Sequence, residues 1–227
     1  MAWRRRFGPA PPSPMSISLR PDIHAALVDD DVVVLDVDGD DYLCLPGLAA
    51  IWRGGVTADG VIQDTDLAVR LSEAGLIGPG RGRSQTRSLP PAAQSACDQP
   101  REPLAWRDIV ALTGVLWDVA FHYRGRSMAQ ILRFARRRPC GAPTSRAEVV
   151  RLSTAFERAV VWLPLPAKCL VRSFALLRFL QRRGQDAHWC FGVRTWPFSA
   201  HCWLQFDEVA LDDHADQLRA YTPIHVA

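Results

Sequence analysis

Leu165-Pro166-Ala167-Lys168-Cys169-Leu170-Val171-Arg172-Ser173-Phe174-Ala175-Leu176-Leu177 is the segment from which the architecture can be read. Pro164 and Pro166 break the approach, and an apolar pattern with helical period starts at Cys169. The pattern runs to about residue 183 and is closed by Gly184. Beyond that glycine the period becomes two, and 187–193, 201–206 and 209–211 read as strands. Ahead of the segment, 106–122, 128–137 and 146–162 read as helices. Helices followed by antiparallel strands make an α+β layout.

A thiol at a helix start sits in the partial positive charge of the helix N-terminus, which favours thiolate over thiol. Lys168, the only lysine in the chain, adds to that charge. Helical spacing puts Ser173, Leu176 and Leu177 behind Cys169, leaving the sulfur at the mouth of the core. The strands then supply His201 and Asp213: an imidazole to take the proton and a carboxylate to orient it. Without such partners, a free cysteine reads as a small buried hydrophobe. His188 competes with His201, Asp212 competes with Asp213, and Asp216 is a weaker rival; His122, His214 and His225 lie in less informative settings.

Strand alternation sends His201, Trp203 and Gln205 to one face and Cys202, Leu204 and Phe206 to the other. Cys202 is therefore expected to face away from a site at Cys169. The same alternation argues against zinc held by His188, Cys190, His201 and Cys202, because neighbours 201 and 202 diverge. No metal and no cofactor is expected. The chain lacks a Gly-x-x-x-x-Gly-Lys loop, a dinucleotide fingerprint and a His-Glu-x-x-His pair.

The N-terminal part has a different texture. Short β-rich runs at 23–28, 31–37 and 42–45, the last two joined by Asp38-Gly39-Asp40, read as strands with a hairpin. Helical patterns follow at 46–52 and 66–74, the second stopped by Gly75. A stretch rich in Gly, Pro and Ser at 79–103 reads as a linker. The expected organisation is thus an extension at 1–17, disordered or misannotated with Met15 an alternative start. After it come a small domain at 18–78, the linker at 79–103 and a larger domain at 104–227.

Bulk properties narrow the partners. The 227 residues are 48% hydrophobic with a net charge of +3, so a packed core is expected and disorder is not. The arginines are scattered, which gives no nucleic-acid footprint. No apolar run is long enough for a membrane span. The start has no apolar secretory region, and the six cysteines form no Cys-x-x-Cys pair, so free thiols in the cytoplasm are expected.

Lys168-Cys169-Leu170-Val171-Arg172-Ser173, Arg182-Arg183-Gly184, Phe191-Gly192-Val193 and Ala200-His201-Cys202-Trp203-Leu204 together resemble the lasso-peptide maturation proteases. These are transglutaminase-like cysteine peptidases, often called B or B2 proteins, with a papain-like arrangement. The likeness covers about 105–227, and the intervals of 201 − 169 = 32 and 213 − 201 = 12 suit it. It implies Cys169 as nucleophile, His201 as general base and acid, and Asp213 as orienting carboxylate. Position 202, more often small or alanine-like in that family, is a departure.

The N-terminal order of strands then helices is similar to the winged-helix-like precursor-recognition domains of ribosomal peptide pathways. That resemblance implies a leader peptide adding as a strand beside Tyr42, Leu43, Cys44 and Leu45 and packing on Leu67, Arg70, Leu71 and Ala74. The partners implied are a precursor peptide and a separate ATP-dependent lasso cyclase. Two other readings stay open: an acyltransferase or deamidase using the same thioacyl chemistry, and a non-enzymatic adaptor that presents the precursor.

Overall fold

The computed structural model of the chain describes residues 17–57, 60–78, 89–136, 144–166 and 168–227. The N-terminal half begins with the short β1 (Ser18–Leu19), followed by β2 (Ile23–Val28), β3 (Asp31–Asp36) and β4 (Asp41–Leu45). The last three form an antiparallel sheet in the order β2-β3-β4, so β4 is an edge strand. Helices α1 (Ala49–Gly55) and α2 (Thr65–Glu73) follow, and β5 (Ile77–Gly78) returns to pair with β1. The Asp64 carboxylate caps α2 by accepting from Leu67 N–H at 2.8 Å. Helix α1 starts later than its sequence pattern suggests. Gly47 at φ 68° first turns the chain, with its N–H held by Asp31 Oδ1 at 2.9 Å.

Strand β3 decides how the two halves meet. Val32 and Val34 pack with Ile23, Trp52, Leu67 and Leu71 in the core of the N-terminal half. Val33 and Leu35, with Ala26 and Val28, point the opposite way into a larger core that also holds Phe156, Phe174, Phe191 and Ile224. A strand covered on both faces needs a continuous apolar run rather than alternation, and the three consecutive valines of β3 meet that need.

The C-terminal half runs β6 (Gln94–Ser95), α3 (Trp106–Asp118), α4 (Met128–Ala135), α5 (Arg146–Ala159), α6 (Cys169–Arg182), β7 (His188–Arg194), β8 (Ser199–Phe206), β9 (Val209–Ala210), α7 (Ala215–Leu218) and β10 (Thr222–Val226). A π-helical stretch continues α3 to Tyr123. The sheet order is β10-β7-β8-β9-β6, antiparallel except for the parallel pair β6 and β9. Helix α6 packs on β8 and against α3 and α5. Its inward side chains Val171, Phe174, Leu176 and Leu180 are fully buried, each contributing roughly 1.5–3 kcal/mol by leaving water. Two arginines anchor its far end: Arg178 Nε and Arg182 Nε each lie 3.0 Å from Asp118 Oδ2 on α3. Gly114 allows that approach, since a Cβ there would stand 2.5 Å from the Arg182 guanidinium.

Two features depart from the sequence reading. The stretch expected as linker at 79–103 is part of the fold in its later portion: β6 borders the C-terminal sheet beside β9, and Ala96–Asp98 forms a 3₁₀ turn. Backbone pairing captures residues whose composition signals only a loop. Residues 79–88, and most of the expected extension at 1–17, lie outside the described residues. The second feature is β10, which pairs with β7 and brings His225 against His24 of β2, ring centroids 3.9 Å apart. The turn joining β7 to β8 also crosses to the N-terminal sheet. Trp196 Nε1 donates to Asp31 Oδ2 at 2.9 Å, and Phe198 meets Tyr42 at 5.9 Å.

Candidate active site

Cys169 opens α6, with Lys168 at the N-cap providing no side-chain cap. The first-turn N–H groups are therefore left to act on whatever lies in front of them, and the exposed thiol of Cys169 lies there. One turn further on, Ser173 Oγ donates to Asp212 Oδ2 at 2.5 Å and to the Cys202 carbonyl at 3.3 Å. These bonds tie the start of α6 to β8 and to the segment after β9.

Strand β8 is paired with β7 along its length, but β9 covers its other edge only at Gln205 and Phe206. Upstream the edge is open, and Cys202 and Leu204 turn their backbone polar groups toward it. Leu204 N–H donates to Asp212 Oδ1 at 2.7 Å, and the Leu204 carbonyl accepts from Leu211 N–H at 2.9 Å. Cys169 and Cys202 line one cleft there.

That placement brings Cys169, His201 and Asp213 together. His201 Nε2 and Asp213 Oδ2 are 2.5 Å apart, and both residues line the cleft that Cys169 opens into. Hydrogen bonds from Cys202 and His201 outweigh burial and draw the Cys169 thiol down to about 4. Asp213 first, then Cys169, raise His201 to about 10. Burial pushes Asp213 up, but the His201 hydrogen bond and the His214 N–H at 2.7 Å hold it below the usual carboxylate range. Both shifts favour a thiolate beside an imidazolium, the pair that nucleophilic thiol chemistry uses. Burial pushes the Cys97 and Cys190 thiols the other way, to about 12.

Asp212, the rival carboxylate, does not meet His201. It is partly buried, bound to Ser173 and Leu204, and pushed up to about 6 by desolvation. Asp216 is exposed and paired with Arg219, and His214 lies with Asp98 at 3.1 Å. His188 sits across from Gln205 on β7, and His122 stacks on Phe134. Gly192, in register with His201, has no room for a side chain: a Cβ would stand 2.8 Å from the Trp203 ring.

Cys202 is where sequence reasoning failed. Expected to face away, it is 4% exposed and lines the same cleft as Cys169. Alternation assigns side chains to faces, but a cleft at a strand edge is reached from both faces. Also unsignalled were Ala96, Cys97 and Gln99, which wall the cleft from the stretch expected to be linker. The cleft has a volume of about 480 Å³ and continues past Arg172, Glu157 and Thr154. Arg172 and Glu157 form a salt bridge on its wall. Among the described residues no three His, Cys, Asp or Glu side chains are grouped to hold a metal, and no helix is long and apolar enough to cross a membrane.

The residues expected to receive a leader peptide divide. Tyr42 and Cys44 point from β4 into the shared core, Leu43 is 41% exposed, and Leu45 is partly buried against the N-terminal core. Leu67 and Leu71 are each 1% exposed and belong to that core, so they present no surface to a peptide. Arg70 and Ala74 are exposed. The Tyr42 hydroxyl is raised chiefly by burial, with Cys202 and Cys169 adding.

A thiol at a helix start thus stands with an imidazole and a carboxylate from the elements that follow, and the comparison with known families finds a transglutaminase-like domain spanning all three. The transglutaminase-like superfamily matches residues 113–226, half of the chain, and this chain belongs to it. A 68-residue stretch is 37% identical to the microcin J25-processing protein McjB of Escherichia coli, covering 30% of this chain and 31% of that protein. The chain thus matches less than a third of the length of that relative. No solved structure matches it significantly.

The pH dependence of the site follows from its two shifted groups. Thiolate is present above about pH 4 and imidazolium below about pH 10. Turnover that needs both should show kcat/KM level between these limits, with limbs that belong to the coupled pair. A single rise centred near pH 9, the behaviour of an ordinary thiol, would contradict the ion pair.

Proposed function

We propose that this chain is a leader peptidase. It binds a ribosomally made precursor peptide through its N-terminal half and cuts leader from core by Cys169-His201-Asp213 thiol catalysis. The observation that carries this reading is the ionised Cys169 beside His201 and Asp213 in a cleft open enough for an extended chain. Superfamily membership and the stretch similar to a microcin-processing protein support it.

The Cys169 thiolate attacks the carbonyl at the leader–core junction. The Cys169 N–H at the start of α6 stabilises the oxyanion. His201, charged at rest, delivers its proton to the leaving amine, and Asp213 holds the ring so that its other nitrogen serves the sulfur. His201 then takes a proton from water, which attacks the thioester and releases the leader acid. The edge of β4 is the surface for pairing with leader backbone. The freed core amine passes to a separate ATP-dependent lasso cyclase, and the whole sequence proceeds in the reducing cytoplasm.

Mass analysis of a leader-bearing precursor treated with the protein tests the reaction class. Hydrolysis gives two fragments whose masses sum to the precursor plus one water. A single larger adduct with an added amine would identify acyl transfer instead. An intact precursor, with Cys169 labelled by a thiol reagent no faster than the other cysteines, would leave only the adaptor role.

A further inference from the structure

Helix α3 wears its charges inside and its apolar side chains on both sides. Asp108 turns inward to Arg183 Nε at 2.9 Å and Arg151 Nη1 at 3.4 Å, and Asp118 is held by Arg178 and Arg182. Ala111, Leu112, Val115 and Val119 fill the larger core. The opposite side is apolar as well: Trp106, Ile109, Val110, Trp117 and Phe121 are each more than half exposed. Their spacing follows the helical repeat, which makes a stripe about 120° wide and roughly 20 Å long. Trp117 and Phe121 stack within it, ring centroids 4.9 Å apart. A helix that is apolar all round is normally sunk in a core, and one left with such a side in water marks a surface for a partner.

The charge around the stripe says which partner. Between residues 103 and 136 the only carboxylates are Asp108 and Asp118, both spent on internal ion pairs. Arg107, Arg124, Arg126, Arg133 and Arg136 of the same span are exposed. Arg126 Nε and Nη2 both donate to the Phe121 carbonyl at 3.3 Å, so the end of the stripe runs directly into these arginines. There His122, Arg126, Gln130, Arg133 and Phe134 line a recess of about 340 Å³. Asp40 of the β3–β4 turn lines a neighbouring recess with Arg124 and Arg126 and offsets one positive charge. A second copy laid on this stripe would set arginines against arginines. An anionic lipid surface offers what the stripe lacks: an apolar layer for the aromatic rings at headgroup depth, and phosphates for the guanidinium groups.

We propose that α3 and its π-helical continuation dock the protein on an anionic phospholipid surface. Trp106, Trp117 and Phe121 enter the interface, and the recess between Arg126 and Arg133 receives a headgroup phosphate. This is independent of the reading of Cys169.

Flotation of the full chain with vesicles tests it. One set of vesicles is phosphatidylcholine alone, and the other contains an equal part of phosphatidylglycerol. The protein should float with the mixed vesicles and stay behind with the neutral ones, and about 1 M salt should weaken the binding. Trp106→Ala and Trp117→Ala should each lower the partition coefficient about tenfold, through lost apolar burial. Arg133→Gln should lower it about fivefold, the usual worth of one basic residue at an anionic surface. These side chains are exposed, so each variant should melt as the wild type does. Failure to float with the mixed vesicles overturns the proposal, as does undiminished flotation of both tryptophan variants. Equal flotation with neutral vesicles would leave the arginines no role and also overturns it. A dimer seen by sedimentation velocity and lost in Trp117→Ala, without vesicle binding, would give the stripe to a second copy instead.

Discussion

Cys169→Ala should stop precursor cleavage, with the rate falling by about four orders of magnitude or more and leader affinity unchanged. The size follows from the chemistry. Removing the nucleophile of a thiol or serine site leaves only oxyanion stabilisation and binding, and known triads lose ~10⁴ to 10⁶ in kcat on that change. Leader affinity should persist because Cys169 is an exposed residue at the cleft mouth, not a member of either core. Chromatographic assay of cleavage, with calorimetric titration of a leader peptide, checks both halves. Retained cleavage would remove Cys169 from the mechanism. Its closest rivals in the cleft are Cys97 and Cys202, and both are protonated thiols with raised values.

The two adjacent aspartates should separate function from stability. Asp213→Ala takes away the acceptor 2.5 Å from His201 Nε2, so the imidazole loses its orientation and much of its charge. Cleavage should fall by roughly 10² to 10⁴-fold, with little change in melting temperature. Asp212→Ala should do the reverse in kind. It leaves the Leu204 N–H and the Ser173 hydroxyl without their shared acceptor inside the protein, destabilising it by roughly 2 kcal/mol or more. That corresponds to a drop of roughly 4–8 °C in a chain of this size. Thermal melts and cleavage rates on the two variants decide the assignment. If Asp212→Ala melts normally and alone loses activity, the orienting carboxylate has been misidentified. Asp212 also has a pH signature. Its folded value of about 6 lies above the ordinary 3.8. The folded state therefore binds the extra proton, and the stability linked to this group declines as pH rises from about 4 to 6.

Much of this arrangement was legible in the residues. The Pro-broken approach and the apolar period placed the start of α6 at Cys169, where the structure has it. Period-two runs located β7 and β8, and the Asp-Gly turn located the β3–β4 hairpin. What stayed hidden depends on pairing at a distance. Gln94-Ser95 has no strand character of its own and becomes β6 only because β9 offers a backbone ladder. Thr222–Val226 contains Pro223, which disfavours a strand reading, and is tolerated where β10 forms an edge with an irregular register beside β7. The choice between Asp212 and Asp213 could not be made from two identical neighbours. Hydrogen bonding makes it, by committing one to the backbone of Leu204 and the other to His201. Leu67 and Leu71 were misjudged because an amphipathic helix shows which of its faces is apolar, not whether that face meets its own core or a guest.

The doubly covered β3 has a practical consequence. A fragment ending near residue 78 would carry the three-stranded sheet with Ala26, Val28, Val33 and Leu35 stripped of their cover. Such a piece is better suited to clumping, or to reassembling with the missing half in trans, than to life as a freestanding peptide binder.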